Sequence, residues 1–276
     1  LAPSFAPKFA GHLRLRATAG SHGRTSLAAQ SFRAPYHLSK PYWDADTQTL
    51  LVQVVNATAG ILEGDRLESD IAVAAGAALL VTTPSASRVF RMRGGSAACH
   101  QKYQVAAGGW LEVLPEPLVP HRACRYRQTV RIEAEPGGRM LFADLLMPGR
   151  VAHGEAWSWD RLCLDTEVVL GGELILRERF EQDGPGLRAL AELSGSGPQA
   201  CFGNALLIAD GDARWRPEVA ALHGDGVWLG VSPLHRGGWS IKFVAADSIR
   251  LRRTLHALRR ILAPDYPHLA CPTRKL

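Results

Sequence analysis

Asp65 stands between Gly64 and Arg66, with Glu63 close by, and a hydroxyl cluster follows at Thr82, Thr83, Ser85 and Ser87. Carboxylate and hydroxyl oxygens of this kind hold a divalent first-row ion loosely, which suits transfer better than storage. The same residues have a plainer use, since an Asp just before a strand commonly caps a turn or pairs with a neighbouring Arg. Nucleophilic chemistry is poorly served. No GxSxG is present, and Ser85 and Ser87 lack a local feature that would activate either hydroxyl. Glycoside chemistry needs two carboxylates across a cleft, for which Glu112 with Glu116, or Asp144 with Glu155, are the candidates. GxGxxG and GxxxxGK[ST] are absent, so no phosphate-cradling loop is assigned.

The elements that must position these groups repeat. An apolar alternating run, one or two glycines and a second apolar run occur at residues 71–81 (IAVAAGAALLV), 103–113 (YQVAAGGWLEV), 130–142 (VRIEAEPGGRMLF) and 167–176 (EVVLGGELIL). Their glycines, Gly76, Gly108, Gly137 and Gly171, are 32, 29 and 34 residues apart. Glycine permits positive φ at a corner, and period-two alternation sends one set of side chains inward on either side of it. Each unit alone would expose an apolar face that stacking covers, so the pattern predicts a mainly β, elongated, solenoid-like body of stacked strands with a few helices. Four ordinary hairpins in a β-sandwich are the alternative.

Residues 11–16 and 50–55 read as further strands, joined by a polar, proline-containing segment at 34–46. Residues 182–186 and 194–198 read as loops, and 205–209, 227–229 and 241–244 as late strands. One segment is helical. From a cap at Asp247 or Ser248, leucines 251, 255, 258 and 262 recur on one face until Pro264. That face either packs on the body or leaves Arg250, Arg253, Arg259 and Arg260 to bind an acidic partner or a membrane.

Composition narrows the function classes. Of 276 residues, 46% are hydrophobic and 21% charged, with 27 Gly and 17 Pro, as expected of a turn-rich globular chain. The whole length is expected to form one domain. The net charge of +6 is spread through the chain with no recognised nucleic-acid motif, so nucleic acid is not the expected partner. No run approaches the roughly 20 apolar residues a spanning helix needs, so a membrane is not expected either. The N-terminal LAPSFAPKFAGHLRLR lacks the continuous apolar core of a secretory signal. Five scattered cysteines, without CxxC, favour a reducing, cytoplasmic setting and argue against a zinc site or disulfide framework.

Several blocks, taken in order, resemble the urease accessory protein UreD (UreH) family: RTSLAAQSFRAPYHLSKPYW, NATAGILEGDRL, VAAGAALLVTTPSASRVFR, LEVLPEP, ADLLMPGRVAHGEAW and ACPTRKL. The resemblance implies a β-helical body without catalytic activity. It implies a protein that joins UreF and, through it, the GTPase UreG, and that docks on apo-urease so that nickel(II) reaches the active site through an internal polar tunnel. No tightly bound cofactor is implied, only nickel in transit. By position, the resemblance assigns Asp65, Asp144, Glu155 and Glu178 to the nickel path, and Glu63, Thr82, Thr83 and Ser87 to the tunnel lining. The chain departs from the family pattern at Ala57, which replaces a proline, and at Ala59 and Glu63, which replace glycines; it also lacks the aromatic that often follows the closing CPxR. Two other functions stay open: a right-handed β-helix carbohydrate-active enzyme using Asp144 and Glu155, and a generic β-solenoid interaction module.

Overall fold

Alternation over Arg66–Val73, Ala97–Val105 and Arg125–Ala134 buries every second side chain, including Ile71, Val73, Tyr103, Val105, Val130 and Ile132. These strands lie parallel, in the middle of a seven-stranded sheet that runs Glu173–Gln182, Arg161–Leu170, Arg125–Ala134, Ala97–Val105, Arg66–Val73, Ala10–Ala19, Thr25–Phe32. In this computed structural model, residues 10–58 and 60–273 are described; the start of the N-terminal segment, Ala59 and Arg274 of the closing block lie outside the described residues.

The glycine corners carry the chain from this sheet to a second. Gly76, Gly108 and Gly137 have φ of 70°, 72° and 80°, where a side chain is strained, and they stack through Gly76 N–H to Gly108 O and Gly108 N–H to Gly137 O. Beyond them run Ala78–Thr82, Trp110–Leu114 and Arg139–Leu146, again parallel. Val73 pairs with Val105 and Val105 with Ala134, so the sequence spacings of 32 and 29 residues are the register between rungs. Two of the rungs add a short third face, Ser87–Val89 against Leu118–Pro120. The solenoid expectation holds.

The fourth glycine does something else. Gly171 turns Arg161–Leu170 back into Glu173–Gln182 as an antiparallel hairpin within the first sheet, so no fourth corner crosses over there. The second sheet is instead continued by antiparallel strands, Cys201–Ile208, Trp239–Ala245 and Val227–Pro233. The body is therefore a parallel solenoid with an antiparallel end, where the two sheets finish in separate edge strands.

Both faces of the second sheet are covered, which is why AALLV and WLEVL read as unbroken buried runs. Leu79, Val81, Leu111, Val113, Met140 and Phe142 face the first sheet. Leu80, Leu114, Leu141 and Leu145 face the helix Ser248–Leu262, whose Leu251, Leu255, Leu258 and Leu262 are all buried against them. Asp247 caps that helix by accepting from the N–H groups of Ile249 and Arg250, both at 2.8 Å.

The helix corrects one assignment of its arginines. Arg259 is buried, with Nε 2.5 Å from Glu112 Oε1 and Nη2 3.0 Å from Oε2, and it also donates to Cys271 O. It anchors the helix to the sheet and presents nothing outward. Arg250 is tied to Asp247 at 2.6 Å, whereas Arg253 and Arg260 are exposed. Two further helices lie where the sequence reading places none, the first beginning inside the loop expected at 182–186. Gly184–Leu193 starts on Asp183, whose carboxylate accepts from Gly186 N–H, and Arg216–Ala220 is a single short turn. The segment at 34–46 also contains two short strands, Tyr36–Leu38 and Tyr42–Asp44.

Candidate functional site

The interior between the sheets is apolar near the glycine corners and polar farther along the strands. Ile71, Tyr103, Ile132 and Val168 form one cross-strand row of the first sheet; the adjacent inward row is Ser69, Gln101, Val130, Thr166 and Glu178. A further inward position along, Cys99 neighbours Gln128. Facing them, Asp144 continues the inward series of Met140 and Phe142, and it pairs in register with Asn204, which pairs with Lys242. The same alternation that packs the core thus lays a polar band across it.

Two cavities follow this band. The first, of about 160 Å³, is walled by Tyr36, Cys99, Gln101, Tyr103, Tyr126, Gln128 and Asp144, and its rim is formed by Thr82, Thr83, Pro84, Ser85, Ser87 and Glu116. Pro84 and Ser85 are exposed, so that rim reaches the surface. The second, of about 560 Å³, lies at the antiparallel end and is lined by Asp144, Thr166, Glu178, Asn204 and Lys242 among apolar side chains that include Phe180, Phe202 and the exposed Trp228. Asp144 belongs to both walls.

Asp144 is chemically unusual. Gln128 Nε2 donates to its Oδ1 and Oδ2 at 3.2 and 3.0 Å, and Tyr126 in turn donates to Gln128 Oε1 at 3.2 Å. Among the described residues no cationic side chain pairs with it. Burial raises its carboxyl to about 6, only partly opposed by the Gln128 hydrogen bond. Burial likewise pushes Tyr36, Tyr103, Tyr126 and Cys99 upward, so the surrounding wall is neutral. Such a wall offers oxygens without fixed charge, and one carboxylate that an arriving cation would ionise.

The family model for the UreD urease accessory protein matches residues 10–275. The chain belongs to the UreD urease accessory protein family. It is 60% identical over 270 residues to the urease accessory protein UreD of Opitutus terrae, covering 97% of this chain and 99% of that protein. It is 30% identical to that of Photorhabdus laumondii, with 95% and 84% covered, and 25% identical to that of Acetivibrio thermocellus, with 88% and 93% covered.

Within this UreD-family chain, the four acids assigned to the nickel path part company. Asp144 and Glu178 line the second cavity together. Asp65 is fully buried and closes the turn over residues 62–65, with Oδ2 accepting from Leu62 N–H at 2.8 Å and its own N–H donating to Leu62 O. It lines neither cavity, and its local work is that of a turn cap. Glu155 also lies off both walls; Arg150 donates to it at 2.7 and 3.0 Å, with Arg122 at 4.0 Å, and the Arg150 hydrogen bond holds its carboxyl below the usual range. Asp144 and Glu155 therefore do not flank a common cleft. The other nominated pair is likewise committed, Glu112 to Arg259 and Glu116 to Arg252.

Of the tunnel-lining candidates, Thr82, Thr83 and Ser87 share the rim of the first cavity, where Thr82 Oγ1 donates to Leu114 O and Thr83 Oγ1 accepts from Glu116 N–H. Glu63 does not join them. Its carboxylate accepts from the N–H groups of Arg93 and Gly95 at 2.7 and 2.8 Å, so the glycine-to-glutamate departure fastens the turn at 93–95. Gln101, Gln128, Asn204 and Lys242 belong to no motif that the sequence displays. The signal that marks three of them is a polar residue at an inward position of an alternating strand.

Proposed function

We propose that this UreD-family chain is a non-catalytic scaffold of urease maturation that links apo-urease to UreF and, through UreF, to UreG, and that it conducts nickel(II) along the polar band between its two sheets. The observation that carries this reading is Asp144, a carboxylate lining both cavities that no cationic side chain among the described residues pairs with. An uncompensated buried charge is costly, and a cation in transit is the partner that would relieve it. Oxygen donors suit the task. Nickel(II) held by one carboxylate and neutral oxygens exchanges readily, whereas a cluster of thiolates or imidazoles would retain it. Among the described residues no group of three or more His, Cys, Asp or Glu side chains could hold a metal ion. No helix among the described residues is long and apolar enough to cross a membrane, and we place the work in the cytoplasm, with no tightly bound cofactor.

The decisive experiment replaces Asp144 by Ala in cells expressing urease and its accessory proteins, and measures nickel per urease active site. We expect nickel content to drop at least tenfold while the variant still co-purifies with UreF and urease subunits. Normal nickel content in a stably folded variant would remove Asp144 from the path.

A further inference from the structure

Each cavity has a carboxylate at its mouth, and each carboxylate is closed by a cation of the chain's own. At the first mouth Glu116 Oε2 accepts from Arg252 Nε and Nη2 at 3.1 and 2.6 Å. At the second, Glu178 Oε1 lies 2.7 Å from Lys242 Nζ. The two closures differ in kind. Arg252 grips with two donors of a planar fork from a helix whose leucine face is buried. Lys242 makes a single contact from a flexible stem, its side chain is 59% exposed, and its register neighbour Gly230 leaves open space on the edge strand.

The route from Asp144 to this second mouth is laid out by register. Asp144, Asn204 and Lys242 sit side by side on adjacent strands, and Glu178, opposite Thr166 on the other sheet, faces Lys242 across the gap. Asn204 Oδ1 is buried without a hydrogen-bond partner, an unused oxygen donor placed between the two carboxylates. Ammonium and divalent cation compete for the same Glu178 oxygen, and like charges at that range repel.

We propose that Lys242 is a tethered counter-ion that closes the Glu178 mouth, so that a divalent cation leaving Asp144 by way of Asn204 is held at Glu178 only while the ammonium is swung aside. This rests on the passage proposed above and assigns it a gating residue. Lys242 keeps Glu178 ordered in the empty protein, and it keeps the mouth from becoming a trap. Weak surface ion pairs of this kind break readily, as a gate requires.

The test uses the full chain with nickel(II) sulfate alone, measuring affinity by chelator competition and release by stopped-flow transfer to a chromogenic chelator. Lys242→Met keeps the stem and deletes the charge; we expect nickel to bind at least tenfold tighter and to leave correspondingly more slowly. Lys242→Arg keeps the charge and should show no gain in affinity. Lys242→Met combined with Glu178→Gln should lose the gain, which separates the mouth from adventitious binding elsewhere on the chain. Unchanged affinity and release in a folded Lys242→Met variant would overturn the proposal, as would a gain that survives Glu178→Gln. If that gain is absent while Asp144→Ala still blocks nickel loading of urease, the gate falls and the passage stands; if the gain is present while Asp144→Ala loads urease normally, Lys242 still guards Glu178 and the passage through Asp144 falls.

Discussion

Two carboxylates on neighbouring strands of the second sheet, one fully buried and one partly so, have been given opposite surroundings. Glu112 points from Trp110–Leu114 toward the C-terminal helix, fully buried, where Arg259 meets it with two nitrogens. Asp144 points from Arg139–Leu146 toward the first sheet, where only an amide meets it. Burial pushes both carboxyls upward, but at Glu112 the Arg259 charge opposes the push and at Asp144 no charge does. One face of a single sheet therefore holds a finished ion pair and the other a half-finished one. A completed pair has a structural task; an incomplete one in a polar cavity is prepared for a partner that arrives later.

The comparison is broken most forcefully at Glu112. Glu112→Ala strands Arg259 in the core and should cost about 3–5 kcal/mol of unfolding free energy, read from the midpoint of a urea titration. Replacing both partners, Glu112→Leu with Arg259→Met, should recover most of that loss, because two well-packed apolar side chains leave no charge to desolvate. A single substitution that costs under about 1 kcal/mol would mean the pair is solvated in practice.

Asp144 should respond in the other direction. Its carboxyl is raised to about 6, so the folded state favours the protonated form. Its contribution to stability is full below the ordinary carboxyl range near pH 4 and is lost as pH rises through about 6. Asp144→Asn removes that penalty; because the side chain also faces a cavity, the gain at pH 7 should be about 2 kcal/mol, shrinking to nothing near pH 4. Unfolding titrations across pH 4–8 give both numbers. A variant that is more stable yet fails to load urease would separate the cost of Asp144 from its use.

Much of the fold was legible in the sequence because glycine corners and period-two alternation are local signals, and Gly76, Gly108 and Gly137 do turn three rungs. Gly171 carries the same signal into a hairpin, since whether a chain crosses to the facing sheet or folds back depends on what already occupies that sheet. The leucines at 251, 255, 258 and 262 located the helix and its buried face, but not the fate of Arg259, which is decided by a glutamate 147 residues away in the chain. The polar band lay deeper still. Gln101, Gln128 and Asn204 are ordinary residues in their own strands, and they become a wall only when the register aligns them with Asp144 and Glu178. Asp65 shows the reverse case, a residue conspicuous beside its glycine whose described contacts are those of a turn.

The smallest expected effect guards the comparison against a simpler explanation. Arg252 and Glu116 repeat the Arg259–Glu112 arrangement one step toward solvent, on the same helix and beside the same strand, with side chains 43% and 35% exposed. Water screens that pair, so Arg252→Ala should cost only about 0.5 kcal/mol, and less in roughly 1 M salt. Parallel urea titrations of the Arg252 and Glu112 variants supply the contrast. Similar losses at the two positions would show that pairing itself, and not burial, sets the energy. The inference from Asp144 would then weaken as well, because it depends on enclosure making an unmatched carboxylate expensive enough to require an incoming cation.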